Sequence, residues 1–116
     1  MSYFVESEFD SPDVPGSGAI MSPTFVFTLN QAREIANIPF KLTSGYRTEA
    51  HNALVGGKVS SSHLKGLAVD IACNTSGNRI KIINGLILAG FKRIGIAKTF
   101  IHCDTDGDKS PAIWLY

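Results

Sequence analysis

The sequence predicts an α+β domain, and three observations carry that prediction. Two apolar series at helical spacing, Phe25-Leu29-Ala32-Ala36 and Ile80, Ile83, Leu86 or Ile87, and Ala89, each run into a stop signal, Pro39 and Gly90. Short runs of strand character fill residues 40–44, 67–73, 91–97 and 99–104. Helices and strands follow one another without the regular alternation of a parallel α/β sheet.

The elements can be justified in order. Residues 1–21 form an acidic, turn-rich arm, with turns at Ser11-Pro12-Asp13 and Pro15-Gly16-Ser17-Gly18. Tyr3, Phe4, Val5 and Phe9 give it apolar groups, so it is expected to lie extended on the rest of a single domain spanning residues 1–116. Ser22 is a good N-cap, and Pro23 suits the first helical position, where its missing N–H has no intrahelical partner. Residues 40–44 alternate as a strand and end in Gly45-Tyr46-Arg47. Thr48 caps a short helix from Glu49 to Leu54, which Gly56-Gly57 stops. Residues 55–62 read as a polar loop, 67–73 as the second strand and 74–78 as a turn before the second long helix. Residues 91–97 and 99–104 read as a hairpin, 104–108 as a turn and 112–116 as a terminal strand.

Composition excludes several function classes. The 116 residues are 44% hydrophobic and 18% charged, the balance of an ordinary globule with a core. A net charge of +1 and the absence of any Lys/Arg block offer no phosphate-tracking face, so no nucleic acid is expected as partner. No run approaches the roughly 20 apolar residues that cross a bilayer. The first residues lack the basic start and apolar stretch of a signal peptide, so synthesis and folding in a cytosol are expected. Cys73 and Cys103 are then expected as reduced, buried thiols.

Polar groups inside apolar runs mark the chemistry. Side chains alternate faces along a strand, so in LAVDIAC Asp70 shares a face with Ala68 and Ala72, and Val69, Ile71 and Cys73 share the other. In TFIHCD, His102 and Asp104 share one face while Ile101 and Cys103 share the other. If these strands are neighbours, Asp70, His102 and Asp104 project into one cleft, within reach of His63 on the loop before the second strand. Two imidazoles and a carboxylate make a catalytic zinc shell with a fourth position open. The same residues also read as hydrogen-bonding histidines beside a solvated Asp104-Asp106-Asp108 turn, and spacing leaves both readings open.

Ser61-x-His63-x-x-Gly66-x-Ala68-x-Asp70, with Ser44-Gly45-Tyr46-Arg47 before it and Phe100-Ile101-His102-x-Asp104 after it, resembles the zinc D-alanyl-D-alanine peptidase family. The likeness is greatest to its small single-domain carboxypeptidases and to bacteriophage wall peptidases. It covers residues 40 to 104, and SEFDSPDVPGSG resembles the arm of short virus-encoded members. The resemblance implies the fold shared with Hedgehog N-terminal domains, a small α+β unit with a central antiparallel sheet and flanking helices. It implies His63, Asp70 and His102 as ligands of Zn2+, and Arg47 as the holder of a substrate carboxylate or developing oxyanion. Ser61 would donate to the same carboxylate.

The implied activity is zinc-dependent hydrolysis in the stem peptide of peptidoglycan, at D-Ala–D-Ala or L-Ala–D-Glu, by a monomer from a phage or prophage acting on the bacterial wall. One departure stands out. Many relatives place a carboxylate base three residues before the last histidine, where this chain has Thr99. Asp104 is the candidate replacement, its rival role being to orient His102 through the other ring nitrogen. A different class, a zinc-stabilised module that binds wall or protein without turnover, is the alternative. His51 reads as an exposed residue with no patterned partner.

Overall fold

In a computed structural model, residues 2–116 fold around a five-stranded sheet backed on one side by two long helices. The strands are β1 (Leu42–Ser44), β2 (Ala68–Ala72), β3 (Arg93–Ile96), β4 (Phe100–Asp104) and β5 (Ala112–Leu115). The helices are α1 (Pro23–Ala36), α2 (Glu49–Leu54) and α3 (Ser76–Ala89). Spatial order across the sheet is β1-β2-β4-β3-β5. The pairs β1–β2, β2–β4 and β3–β4 are antiparallel. The terminal strand β5 joins β3 in parallel, which makes the far edge of the sheet mixed.

The expected helix ends hold. Ser22 Oγ accepts from Phe25 N, Thr48 Oγ1 accepts from His51 N, and both helices start where those caps place them. The third helix starts earlier than expected. Its cap is Thr75, so most of the segment read as a turn is its first part. Ser76-Gly77-Asn78 has weak intrinsic helicity, and the cap together with packing of Ile82 and Leu86 on α1 overrides it. The N-terminal arm is also more regular than an extended segment. Glu6–Phe9 and Ser17–Ile20 are single 3-10 turns, and Phe4 and Phe9 enter the core.

One core lies between the helices and one face of the sheet. Phe25, Leu29 and Ala32 from α1 and Ile82 and Leu86 from α3 cover Val69, Ile71, Ile94, Ile101 and Cys103. Each fully buried Leu, Ile or Phe contributes about 1.5–3 kcal/mol. The register pairs Val69 with Cys103 and Ile71 with Ile101, which turns Asp70 and His102, a directly opposed pair, to the other face. A slip of one residue would exchange the faces, so burial of the aliphatic set fixes where the polar set points. Cys73 and Cys103 are both buried and unpaired on the apolar side. No helix among the described residues is long and apolar enough to cross a membrane.

Candidate metal centre and cleft

The outer face of the sheet is the floor of a cleft of about 570 Å³. Asp70 and His102 rise from its centre on β2 and β4. His63 reaches them from a 3-10 turn, Ser62–Lys65, that precedes β2. Ser61 caps this turn by accepting from His63 N at 3.2 Å, and Gly66 ends it in a left-handed conformation, φ 68°. A Cβ on Gly66 would also lie 2.7 Å from the Ile20 carbonyl oxygen, so the tight return from His63 to β2 requires glycine. Ser62, next in the serine run, is buried and donates to Asp106 Oδ2 at 2.7 Å, tying the turn to the loop after β4.

The ring nitrogens are assigned by their partners. His63 Nδ1 lies 2.7 Å from the Gly45 carbonyl, an obligate acceptor, so it carries the proton and leaves Nε2 with a lone pair. Nε2 is buried without a hydrogen-bond partner, 3.4 Å from Asp70 Oδ1. His102 Nε2 donates to Asp104 Oδ2 at 2.7 Å, which turns Nδ1 toward Asp70 Oδ1 at 3.0 Å. One ligand atom from each of His63, Asp70 and His102 lies within 4.8 Å of the others.

A buried, orphaned imidazole nitrogen aimed at a carboxylate and a second imidazole is a donor set that fits a divalent cation of the zinc type. The hydrogen bond that each ring makes through the nitrogen away from the cluster, to Gly45 O and to Asp104, is the arrangement that orients metal-ligating histidines. Burial opposes the charge of Asp70, but the hydrogen bond with His102 and the proximity of the His63 ring outweigh it and hold the carboxyl well below the usual range. Burial likewise opposes an imidazolium at His102, and its contacts with Asp104 and Asp70 outweigh that and raise its pKa.

Arg47 enters the cleft from the segment after β1. Its Nε donates to Ser44 Oγ at 3.1 Å, its Nη1 to Asn52 Oδ1 at 3.3 Å, and its Nη2 stands 3.6 Å from Asp70 Oδ2. These partners hold it in the cleft. Ser61 lines the same cleft, and because its oxygen is the cap acceptor its hydroxyl proton remains available to a ligand.

Asp104 is only 1% exposed, and its oxygens serve three donors: His102 Nε2, Arg93 Nε at 2.8 Å and Asp106 N at 3.1 Å. It therefore meets His102 on the nitrogen away from Asp70, which is the geometry of the orienting role rather than of a free proton shuttle. Thr99, the position at which the resemblance leads one to expect a base, is exposed next to β4, and Asp70 and Asp104 are the carboxylates that line the cleft. His51 is half-buried on α2 and is absent from the residues that line the cleft.

Several cleft residues escaped the sequence reading. Trp114 and Tyr116, at the end of the chain, and Phe100 on β4 form one wall. Trp114 stacks on the Arg93 guanidinium, 4.8 Å from Cζ to the ring centroid, and sits 5.5 Å from the His102 ring. The wall fits because β3 carries Gly95 beneath it, where a Cβ would lie 2.7 Å from both Trp114 and Tyr116 ring atoms. Lys58 and Lys109 add positive charge at the rim. The clustering of aromatic residues in the last strand was the available signal, but only the parallel pairing of β5 brings them to the metal face.

The family model for peptidase M15 matches residues 3–104, most of the chain, so the protein belongs to the peptidase M15 family. Its fold is that of the zinc DD-peptidases and Hedgehog domains, and with the His63–Asp70–His102 cluster the chain is a zinc-dependent peptidase. No curated protein matches the sequence.

Proposed function

We propose that the chain hydrolyses a peptide bond in the stem peptide of peptidoglycan, either as a D-Ala–D-Ala carboxypeptidase or as an L-Ala–D-Glu endopeptidase. The observation that carries this reading is the placement of Arg47 beside the metal cluster, its guanidinium 3.6 Å from Asp70, in a cleft whose rim is otherwise basic. Both candidate bonds lie next to carboxylates, and an arginine fork binds a planar carboxylate through two parallel hydrogen bonds.

His63, Asp70 and His102 would hold Zn2+, which supplies Lewis acidity to a scissile carbonyl and lowers the pKa of water. Gly45 O and Asp104 fix the two imidazoles in their ligating tautomers. Arg47 and Ser61 would anchor the anionic part of the substrate, and Arg47 would also stabilise a developing oxyanion. Trp114, Tyr116 and Phe100 offer an aromatic wall along one side of the cleft. Origin in a phage or prophage and action as a monomer on the bacterial wall belong to the same proposal.

Binding without turnover is the second reading. It is favoured by the absence of a free carboxylate among the cleft-lining residues, since Asp70 and Asp104 are both engaged. Purified protein incubated with peptidoglycan of several chemotypes separates the two. New amino groups, identified by mass and abolished by a chelator, are the expected result. Zinc-dependent wall binding with no released amine supports the binding module, and neither binding nor release on any chemotype overturns both.

A further inference from the structure

Loop 55–60 rims the cleft, and one side chain joins it to Arg47. Asn52 lies on α2, whose last residues and following loop are largely exposed, yet it is itself only 3% exposed. Both ends of its carboxamide are used. Oδ1 accepts from Arg47 Nη1 at 3.3 Å, and Nδ2 donates to the Lys58 carbonyl at 2.9 Å. Its backbone carbonyl accepts from Gly57 N at 2.8 Å. A primary amide suits this place because it donates at one end and accepts at the other, which a carboxylate cannot do.

The neighbouring residues are fitted to that amide. A Cβ on Gly57 would lie 2.0 Å from Asn52 Oδ1, so only glycine leaves the carboxamide where it is. Arg47 is pinned further by Ser44 Oγ, and its backbone N–H donates to the His63 carbonyl at 3.1 Å. A continuous set of hydrogen bonds thus runs from Lys58 and Gly57 through Asn52 to the guanidinium that approaches Asp70.

We propose that Asn52 is a positioning residue: it locks the Arg47 guanidinium in its cleft-facing orientation and couples that orientation to loop 55–60. A free arginine on this surface would sample many rotamers, and each ordering contact made before substrate arrives removes an entropy cost from binding. The proposal rests on the reading of Arg47 as the anion-binding group, and it has a direct readout that does not depend on that reading.

The direct readout is NMR of the Arg47 side chain in the zinc-loaded protein. Wild type should give resolved, slowly exchanging guanidinium signals, and Asn52→Ala should collapse them. Signals that stay resolved in Asn52→Ala overturn the proposal. The functional readout is a cycle of Asn52→Ala, Arg47→Ala and the double variant, assayed on an N-acetylated synthetic stem pentapeptide that contains both candidate bonds. Asn52→Ala should lose at least about 10-fold in kcat/KM with zinc content unchanged, and should cost less than about 2-fold in the Arg47→Ala background. Equal losses in both backgrounds overturn it, since Asn52 would then act elsewhere.

If Arg47→Ala keeps full activity, the anion-binding reading of Arg47 fails while the NMR result still decides the positioning role. Should Asn52→Ala fail to fold, Gly57→Ala, whose methyl displaces the carboxamide, is put through the same two measurements with the same criteria.

Discussion

Asp70 and His102 stand directly opposite each other on β2 and β4, with Oδ1 and Nδ1 3.0 Å apart. The pair is the centre of the site because antiparallel register brings a carboxylate and an imidazole together on the face the core does not use. His63 completes it with a buried nitrogen that has no protein partner. A buried, unpartnered nitrogen costs about 1–3 kcal/mol, and a cation removes that cost.

Zinc should therefore stabilise the fold as well as activate it. At a free concentration 1,000 times its Kd, a bound ion contributes about 4 kcal/mol. Removal of metal by a chelator should lower the melting temperature by several degrees and abolish hydrolysis, and added zinc should restore both. Calorimetry with parallel elemental analysis checks this. An unchanged melting temperature with no metal bound would falsify the zinc assignment.

Asp104→Asn tests what the carboxylate behind His102 does. As the orienting partner of a ligand, its neutralisation should weaken zinc affinity by about 10–100-fold. Hydrolysis at saturating zinc should then recover in part. A proton shuttle predicts the reverse, with zinc affinity intact and kcat lost at every zinc concentration. Competition of the variant with a chromophoric chelator, followed by assay at high zinc, distinguishes them.

Asp106 gives the fold an acid-sensitive clasp. It is buried, accepts from Ser62 Oγ, and pairs with Lys65 Nζ at 3.0 Å, linking the loop after β4 to the turn that carries His63. Burial opposes its charge, but these hydrogen bonds outweigh that and lower its pKa to about 2. A depressed folded-state pKa means stabilisation that is present above the unfolded value near 4 and lost as pH falls through about 2. With Lys65 partly exposed, about 1–2 kcal/mol is at stake. Asp106→Asn should lower the melting temperature near neutrality by several degrees and flatten its dependence between about pH 4 and 2. Equal melting of the two proteins at pH 6 would remove the clasp.

Gly95 tests the aromatic wall. Gly95→Ala drives a methyl into Trp114 and Tyr116, both 2.7 Å from the new Cβ. Overpacking of this kind costs about 1–3 kcal/mol. Because the wall flanks His102 rather than the core, the loss should come with a shift in Trp114 fluorescence and a raised KM. Trp114→Ala should relieve the Trp114 part of the clash in the double variant, so the two changes should be less than additive when melting is measured.

The sequence by itself determined which side chains could form the site. Strand alternation is local, with period two, so LAVDIAC and FIHCD place Asp70 and His102 on polar faces whatever their neighbours are. Helix starts at Ser22 and Thr48 were equally legible, because a cap is a contact within one turn. Tertiary structure decided what lies beyond that range. Asn52 meets Lys58 and Arg47 only because the loop folds back, and Ser62 meets Asp106 across 44 residues. The parallel docking of β5 put Trp114 over Gly95, and the partners of Asp104 set the edge of His102 it serves. Periodicity states where a side chain points. Which group it meets there depends on pairing and packing over the whole chain, and so was settled only when the sheet closed on its helices.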